Sequence, residues 1–446
     1  MERYKTMIRA IRSLQDVVDW RMCIGCGTCR AFCPPGSVEL VNVIDQGIRP
    51  RIDTRLLRSR GDGLDLCPGF RVDGNALTGV PSRSNRAEEE IGPVLEIWEG
   101  YAADPQIRYQ GSSGGLLTAI SLYCMENEDV GFVLHAGMDP VKPWLNRTHR
   151  SSTREELLAH TGSRYAPASP CEGLGWVEHS DRPCVVVGKP CDTAGVELAR
   201  RKRPALDRNL FLVLSFFCAG TPSTGGTLDL LESLGIDPGR VRYIRYRGES
   251  WPGGFLVRFD EDPRPASARA GGETGPGAGE RFIPYAESWG RLAGFRPLRC
   301  NLCPDGLGRV ADLTCGDAWH TFERDADGVA PARGGDPGRS ILLVRTERGR
   351  EIARRARERG YLELTPISPE QVLLAQPNLL EKRRQLYGRL LGLRLFCIPT
   401  PRYTGFSLLR SWLRLPLVLK ARTVLGTARR VLLRKWWRRQ RLHLPA

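Results

Sequence analysis

The sequence predicts a mixed α/β fold, in which a small cysteine-rich module precedes a larger body and a basic helical tail. Short apolar runs alternate with helical patterns through the middle of the chain, as is typical of layered α/β proteins. Closely spaced cysteines mark the N-terminal part, and basic residues dominate the C-terminal part. We predict a module at 1–80, a linker at 81–90, a body at 91–378 and a tail at 379–446.

The charge of the chain is concentrated at one end. The formal net charge is +16, yet twelve Lys or Arg residues and no acidic residue lie between Arg402 and Arg441. The remainder is nearly neutral and contains no nucleic-acid recognition motif, so we expect no nucleic-acid binding. No apolar targeting segment follows Met1 and no apolar run is long enough to span a membrane, which predicts a cytoplasmic protein. In that reducing compartment, 14 cysteines indicate metal ligation rather than disulfides.

The first cysteines have the spacing of an iron–sulfur site. Cys23, Cys26, Cys29 and Cys33 form a C-x-x-C-x-x-C-x-x-x-C-P run, in which three thiolates can face one 4Fe-4S cluster. A disulfide framework is the alternative, but such tight loops in a long chain disfavour it. A second cysteine followed by proline, Cys67, is a weaker copy of the run's end. We predict one 4Fe-4S cluster ligated by Cys23, Cys26, Cys29 and Cys67, with closure by Cys33 as the alternative.

A glycine- and serine-rich loop opens the body. Residues 110–115 precede an amphipathic segment at 116–126, so the loop should feed the N-terminus of a helix. Such a loop can present N–H and hydroxyl groups to a phosphate, although a plain turn is the alternative. It matches neither the dinucleotide fingerprint G-x-G-x-x-G nor a P-loop.

The body then alternates between predicted strands and helices. The predicted elements are strands at 131–135, 184–188, 210–217 and 340–346 and helices at 153–160, 193–201, 228–234 and 350–359. Two of these strands end in turns that carry Cys191 and Cys218, and strand ends are where α/β proteins build their sites. The pattern is strand-like from 241 to 283, interrupted by a Pro-, Gly- and Ala-rich stretch at 262–280 that we predict to be a surface insertion.

A second group of cysteines follows. Cys300 and Cys303 form a C-x-x-C pair, which alone fits a zinc half-site or a redox dithiol. No second pair follows for zinc, and no βαβ start precedes for a thioredoxin-like motif. Together with Cys191 and Cys218, the pair supplies four thiolates for a second 4Fe-4S cluster. The remaining cysteines are interpreted as small buried hydrophobic residues: Cys124, Cys171, Cys184, Cys315 and Cys397.

The tail predicts basic amphipathic helices at 408–415 and 424–439, the second of which includes Trp436 and Trp437. Large apolar side chains beside an all-basic polar face suit a helix that lies on an anionic bilayer. A helix docked on its own core or on an acidic partner protein is the alternative.

Seven motifs, taken in order, resemble those of the coenzyme F420 hydrogenase/dehydrogenase beta-subunit family, which includes the 7-hydroxymethyl chlorophyll a reductases. They are Gln110-Gly111-Ser112-Ser113-Gly114-Gly115, Gly162-Ser163-Arg164-Tyr165, Gly188-Lys189-Pro190-Cys191, Cys218-Ala219-Gly220-Thr221-Pro222-Ser223, Arg247-Gly248 with Trp251-Pro252-Gly253, Arg299-Cys300-x-x-Cys303-x-Asp305, and Ala311-Asp312 with Gly316-Asp317-Ala318-Trp319. The resemblance covers about 91–378 and accommodates an N-terminal ferredoxin-like module.

The resemblance implies an iron–sulfur flavoprotein that binds FAD. By analogy, Cys191, Cys218, Cys300 and Cys303 hold the inner cluster. The residues implied to lie along the FAD are Gly111, Ser112, Ser113, Gly114, Gly115, Ser163, Arg164 and Tyr165. The family usually has Thr where this chain has Lys189, and a cation there could raise a reduction potential or hold a substrate carboxylate.

The implied chemistry is electron transfer between ferredoxin or coenzyme F420 and an organic or protein acceptor through 4Fe-4S clusters and FAD. Coenzyme F420 is a candidate co-substrate, and ferredoxin or a partner redox subunit is the expected partner, besides peripheral contact with an anionic membrane. Candidates for proton delivery are Asp317, His320 and Asp312, with structural roles as the alternative. The competing hypotheses are an electron-transfer subunit of a larger complex and a non-catalytic, membrane-associated scaffold that carries a cluster.

Overall fold

The structure of the chain is a computed structural model that describes residues 10–77, 86–261, 278–321 and 337–440. The strands are β1 (Val38–Val43), β2 (Gly47–Ile52), β3 (Arg71–Asp73), β4 (Glu96–Ala102), β5 (Phe132–Met138), β6 (Asn146–Ser151), β7 (Cys184–Gly188), β8 (Leu210–Phe216), β9 (Val241–Arg245), β10 (Gly254–Asp260), β11 (Ala278–Pro284), β12 (Leu313–Asp317), β13 (Ser340–Val344), β14 (Leu362–Pro366) and β15 (Arg402–Thr404). The helices are α1 (Leu14–Asp19), α2 (Thr28–Phe32), α3 (Arg86–Ile91), α4 (Pro105–Gln110), α5 (Leu116–Asn127), α6 (Arg154–Ala159), α7 (Leu174–Glu178), α8 (Pro190–Arg200), α9 (Pro204–Asn209), α10 (Thr224–Ser233), α11 (Tyr285–Leu292), α12 (Leu298–Asn301), α13 (Glu347–Glu358), α14 (Pro369–Ala375), α15 (Pro377–Arg384), α16 (Leu386–Arg394), α17 (Leu408–Leu413) and α18 (Leu417–Leu433).

A mixed eight-stranded sheet forms the centre of the body. Its strand order is β14-β4-β13-β12-β8-β7-β5-β6. The inner strands β12, β8, β7 and β5 pair in parallel, and the flanking pairs are antiparallel. The α/β fold class is therefore confirmed.

The parallel strands are apolar because helices cover both faces of the sheet. Val185 in β7 and Leu212 and Leu214 in β8 are completely buried. α5 lies on the face that Val185, Leu212 and Leu214 share, and its Leu116 and Ile120 belong to the same hydrophobic cluster. This packing fixes the positions of the strand ends, where the cysteine-bearing turns begin.

Three smaller sheets surround the central one. β1 and β2 form a hairpin, and β9, β10 and β11 form an antiparallel sheet. The third pairs β3 with β15 in parallel, so the N-terminal and C-terminal segments of the chain share a ladder. The cysteine-rich segment also bonds to the body, because Ser169 Oγ donates to the Gly25 carbonyl at 2.6 Å.

The predicted linker at 81–90 is wrong over its second half. Residues 86–91 form α3, and Glu90 is buried, where its carboxylate accepts hydrogen bonds from Arg384 at 2.6–3.0 Å. Glu90, one of the charged residues that suggested a solvated linker, is therefore one member of an ion pair. Its partner, Arg384, is remote in sequence. The division into four parts remains a prediction.

Other boundaries also differ from the prediction: the helix predicted at 228–234 begins at Thr224, and the helix predicted at 350–359 begins at Glu347. The insertion at 262–280 ends earlier, because residues 278–280 belong to β11; the rest of it lies outside the described residues. The helix predicted at 193–201 begins at Pro190, where the fixed φ of proline suits the first helical turn. The Asp192 carboxylate accepts the Lys189 N–H at 2.9 Å and caps that start.

The tail helices are present, with α17 and α18 offset from the predicted bounds. α18 packs on α16 through small residues: a Cβ on Gly392 would lie 2.8 Å from Thr427 Cβ. Among the described residues, no helix is both long and apolar enough to cross a bilayer.

Candidate functional site

Parallel strands bring the predicted site residues to one edge of the central sheet. Lys189 and Cys191 follow β7, Cys218 follows β8, and Asp317 ends β12. β7, β8 and β12 are neighbours with parallel pairing, so their carboxyl ends lie side by side. The register of the sheet thus brings the strand-end turns together at this edge.

The four predicted inner ligands surround one cavity. Cys191, Cys218, Cys300 and Cys303 all line it, and so does Cys23 from the N-terminal run. Burial and the neighbouring thiols raise the pKa of Cys218 to about 12, which a bound metal would have to overcome. In the described part of the chain, no three Cys, His, Asp or Glu side chains are grouped for a single metal ion. A cubic cluster needs a wider cage than one ion, and convergent thiols fit that chemistry.

The N-terminal cysteines lie close together. The Cys29 thiol lies within electrostatic range of Cys26, Cys23, Cys67 and Cys33, and its pKa is raised by burial and by these neighbours. Cys67 interacts in turn with Cys26 and Cys23. Cys33 packs in one cluster with Cys29 and Cys67, and burial, Asp62 and Asp65 raise its pKa to about 11.

This arrangement supports the prediction that Cys67 closes the first cluster, which stays a prediction. Cys171, interpreted from sequence as a buried hydrophobic residue, is hydrogen-bonded to the Cys26 thiol, and its own Sγ donates to the Asp192 carbonyl at 3.3 Å. The hydrogen bond from Cys171 lowers the pKa of Cys26. Cys171 lies outside any recognisable motif, so its contact with Cys26 could not be predicted from the sequence.

A second, much larger cavity of about 990 Å³ adjoins the first. It is at the upper end of the range for small-molecule and cofactor sites. Six residues border both cavities: Ala168, Lys189, Cys218, Gly220, Thr221 and Lys382. The described residues therefore place a dinucleotide-sized space directly beside the inner cysteine set.

The glycine-rich loop forms part of the large cavity. Ser112, Ser113 and Gly115 line it, whereas Gly111 and Gly114 do not. Gly115 has φ +73°, and a Cβ there would lie 2.6 Å from the Ile107 carbonyl oxygen, so only glycine fits the turn that starts α5. The Ser163 N–H donates to Ser112 Oγ at 2.9 Å and joins the two predicted cofactor-binding segments.

Arg164 and Tyr165 line the same cavity, but the Arg164 guanidinium is already engaged. It donates to Asn146 Oδ1 at 2.7 Å and to three backbone carbonyls at 2.6–3.2 Å. Tyr165 belongs to an aromatic wall with Trp289, 4.9 Å between ring centroids, and Tyr285. Arg164 thus holds the wall in place, and Tyr165 offers its ring and hydroxyl to a ligand.

Asp317 is anchored by a buried ion pair. Arg247 Nη2 lies 2.7 Å from Asp317 Oδ1 and Nη1 lies 3.0 Å from Oδ2, while Trp251 Nε1 and Ser113 Oγ donate to Oδ1. Burial opposes ionisation, but Arg247 and the other donors hold the pKa of Asp317 below its usual value. An aspartate held ionised in this way anchors the loop rather than donating a proton.

Lys189 and the two other proton-delivery candidates, His320 and Asp312, also have structural partners. The Lys189 ammonium is 2.6 Å from Asp192 Oδ2, and this carboxylate keeps the pKa of Lys189 raised although burial opposes it. His320 does not line the large cavity; its Nε2 lies 3.0 Å from Glu99 Oε2. Asp312 accepts the Val213 N–H and the Thr346 hydroxyl, which ties β8 to the segment after β13.

Two buried arginines were present in the sequence motifs without an assigned role. Arg247 holds Asp317, and Arg299 lies close enough to interact with Cys303, Cys191 and Cys300. Arg299 also lowers the pKa of Cys23, so its charge acts on both cysteine sets. Burial of an arginine cannot be read from a motif, because only the folded chain shows what surrounds it.

The fold and the site define a class: an α/β protein with two convergent cysteine sets beside a cofactor-sized cavity. Sequence models of one family, the coenzyme F420 hydrogenase/dehydrogenase beta subunits, match the chain over most of that body. The model for the N-terminal part of these subunits matches residues 97–174, and the model for their C-terminal part matches residues 181–370. The chain belongs to this family of oxidoreductase subunits, as the ordered motifs predicted.

Relatives are distant and differ in length. The coenzyme F420-dependent sulfite reductase of Methanocaldococcus jannaschii is 24% identical over 356 residues, 76% of this chain and 46% of that protein. The F420-dependent formate dehydrogenase 1 subunit beta of Methanococcus maripaludis is 25% identical over 279 residues, 62% of each chain. The chain thus spans about half to two thirds of these relatives. A chain of the F420-reducing nickel–iron hydrogenase complex from Methanosarcina barkeri aligns with a TM-score of 0.49 and 20% identity, over 67% of this chain and 90% of that one.

Proposed function

We propose that the chain is an iron–sulfur flavoprotein oxidoreductase that passes electrons between ferredoxin or coenzyme F420 and an organic or protein acceptor. The observation that carries this proposal is the shared wall between the cysteine-lined cavity and the cavity of about 990 Å³. Redox groups in two adjoining cavities would be within short electron-transfer range of each other. The family membership of the chain supports the same chemistry.

The groups would be held by separate sets of residues. Four inner thiols and the N-terminal set suit 4Fe-4S clusters, and the Ser112–Ser163 segment pair with the aromatic wall suits FAD. When bound, a 4Fe-4S cluster supplies single-electron steps and FAD exchanges single electrons for a hydride. The inner ligands are Cys191, Cys218, Cys300 and Cys303, and the outer ligands are Cys23, Cys26, Cys29 and Cys67.

The chain's own side chains orient and insulate this region. The Arg247–Asp317 pair fixes the glycine-rich loop through Ser113, and the Lys189–Asp192 ion pair holds the Lys189 side chain in the wall between the cavities. Burial raises the pKa of Tyr165 and Tyr285, so both hydroxyls stay protonated and can donate hydrogen bonds within the cavity.

An electron-transfer subunit of a larger complex is the second candidate. Several relatives are named as beta subunits of hydrogenases or formate dehydrogenases, which favours this candidate. Adding oxidised coenzyme F420 to dithionite-reduced protein separates the two: reoxidation by F420 alone supports a self-contained enzyme, and its absence supports a partner subunit or another acceptor.

The cofactor proposal is tested by counting iron, sulfide and flavin in anaerobically purified protein. We expect two clusters and one FAD per chain, and about half of the iron to be lost in the double variant Cys300→Ser/Cys303→Ser. Cys124→Ser, in the fully buried core, is the matched control and should keep all of the iron. Colourless wild-type protein without flavin would contradict the proposal and favour the non-catalytic scaffold.

We further propose that the outer face of α18 contacts an anionic membrane from the cytoplasmic side. Thr423, Thr427 and Val431 form the buried face of this helix, whereas five of its large apolar residues are exposed. The exposed ones on this helix are Leu417, Val418, Leu425, Leu432 and Leu433. In the described part of the chain, Lys420, Arg422 and Arg429 lie among them without an ion pair, and this combination suits anionic headgroups.

A further inference from the structure

One part of the large cavity is built by residues outside the family match. α15 and α16 lie beyond residue 370, where the matched region ends, and contribute Lys382, Gln385 and Arg389 to the lining. Arg296, just before α12, completes a cationic group there with Asn301 beside it. Two of the three cations of this wall, Lys382 and Arg389, therefore lie outside the matched family regions, and Arg296 lies inside them.

The three cations of this wall have donors to spare. Lys382 Nζ donates to the Ala219 carbonyl at 3.3 Å, and Arg296 donates to the same carbonyl at 3.1 Å and to Ala293 O at 2.8 Å. Arg389 donates to Asn301 O at 3.0 Å and to Gln385 Oε1 at 2.9 Å. An ammonium has three N–H groups and a guanidinium has five, so most remain available.

None of these three cations forms a salt bridge with a described Asp or Glu. Glu381 lines the same cavity and its charge acts on Arg389, but its carboxylate accepts a hydrogen bond from Gln385 Nε2 at 2.6 Å. Burial lowers the pKa of Arg389, and the like charges of Arg430 and Arg296 lower it further against the opposing effect of Glu381. Holding like charges together costs free energy, which an anionic ligand would offset.

The other basic side chains of the cavity already have partners for their charges or for their N–H donors. Lys189 is paired with Asp192, and Arg247 is paired with Asp317. Arg164 has no acidic partner among the described residues, but its three nitrogens already donate four hydrogen bonds. The excess positive charge of the cavity is therefore localised at the α15–α16 wall.

We infer that the wall formed by Lys382, Arg389 and Arg296 is a binding site for an oxyanion, the phosphate or carboxylate group of the substrate. Lysine and arginine recognise such groups by charge-assisted hydrogen bonds, and two guanidinium planes favour bidentate contacts. The inference rests on the proposed function, because it names the substrate class for the same cavity. Trp289, over which Arg296 lies at 5.9 Å from the ring centroid, leaves an apolar surface beside the anion.

The test is an isothermal titration of the oxidised holoprotein with inorganic pyrophosphate and, separately, with citrate, at low ionic strength. We expect saturable binding of at least one probe, weakened about tenfold or more in Arg389→Gln and Arg296→Gln, and partly retained in Arg389→Lys. Arg394→Gln is the matched control: it removes the same charge from the exposed side of α16 and should bind as the wild type does. The stronger probe distinguishes a phosphate from a carboxylate source.

Three outcomes would overturn the inference. They are the absence of saturable binding of either probe, an equal loss in Arg394→Gln, and reduced flavin content in Arg389→Gln or Arg296→Gln, which would assign these cations to FAD. Because no turnover is required, failure of this test with normal iron and flavin leaves the proposed function standing. Wild-type protein without iron or flavin would instead defeat the proposed function.

Discussion

At the residue scale, the site is governed by buried charges that are paired across long sequence distances. Arg247 and Asp317 are 70 residues apart in the chain, and Glu90 and Arg384 are 294 apart. Removing one member of such a pair leaves a buried charge uncompensated, which typically costs about 3–5 kcal/mol. These pairs therefore hold the cavity walls together as well as setting their electrostatics.

The closure of the first cluster is the most local prediction. Cys67→Ser should lower the iron content of anaerobically purified protein by about one cluster, because Cys67 lies among Cys29, Cys26 and Cys23. Cys33→Ser is the control and should keep wild-type iron, since Cys67 interacts with Cys23 and Cys26 as well as with Cys29, whereas the groups that interact with Cys33 are Cys29, Asp62 and Asp65. Iron loss in Cys33→Ser alone would reverse the assignment.

A trio of histidines predicts acid sensitivity. His135, His149 and His160 lie in mutual contact, with ring centroids 4.0–6.0 Å apart, and burial lowers the pKa of His135 and of His160 to about 4. Unfolding would return His135 to a pKa of about 6.5, so the unfolded state binds more protons between these values. Stability should thus fall as pH drops from 6.5 towards 4, by about 3 kcal/mol for His135 alone.

Urea unfolding followed from pH 7 to pH 4.5 measures this loss. His135→Gln removes the titrating group and should flatten the dependence, whereas the exposed His179→Gln should leave the slope unchanged. The charged groups that face the trio are Arg147, Asp139 and Arg164. An identical slope in wild type and His135→Gln would contradict the assignment.

At the element scale, the strand and helix order was predictable because the core strands are short apolar runs between helical patterns. The Cys191 and Cys218 turns were placed correctly for the same reason, since strand ends follow from the pattern. The features that were not predicted from the sequence depend on contacts between residues that are distant in the chain. The charged residues of α3 suggested a linker, for example, but Glu90 in this helix pairs with Arg384. The wall of Lys382, Arg389 and Arg296 could not be predicted from the sequence, because its residues come from separate segments of the chain.

The contact between α16 and α18 also belongs to this scale. Gly392→Val should destabilise the protein by about 1–3 kcal/mol, because its Cβ would lie 2.8 Å from Thr427 Cβ and from the Val424 carbonyl oxygen. Gly426→Ala, on α18, meets only the end of Arg430 at 3.8 Å and should be neutral or stabilising by about 1 kcal/mol. The midpoint of denaturant unfolding measures both, and equal midpoints would exclude tight packing there.

At the scale of the whole molecule, the basic excess and the outward leucines of α18 form one surface. Leu425→Glu/Leu433→Glu should abolish sedimentation with vesicles that contain phosphatidylserine, while binding to neutral phosphatidylcholine vesicles stays weak throughout. Leu374→Glu, an exposed leucine on α14, is the control and should sediment as the wild type does. Undiminished sedimentation of the double variant would show that this face does not contact lipid.

The pairing of β3 with β15 sets an order on biosynthesis. Thr404 Oγ1 donates to Asp73 Oδ1 across 331 residues, and Tyr403 places its ring at 5.4 Å from Arg299, beside the inner thiols. During synthesis, the N-terminal cysteines leave the ribosome long before residues 402–404 are made. The N-terminal module therefore initially lacks its pairing with β15. The β3–β15 ladder can therefore form only after residues 402–404 have been synthesised, and a truncation before residue 402 should leave β3 without this partner strand.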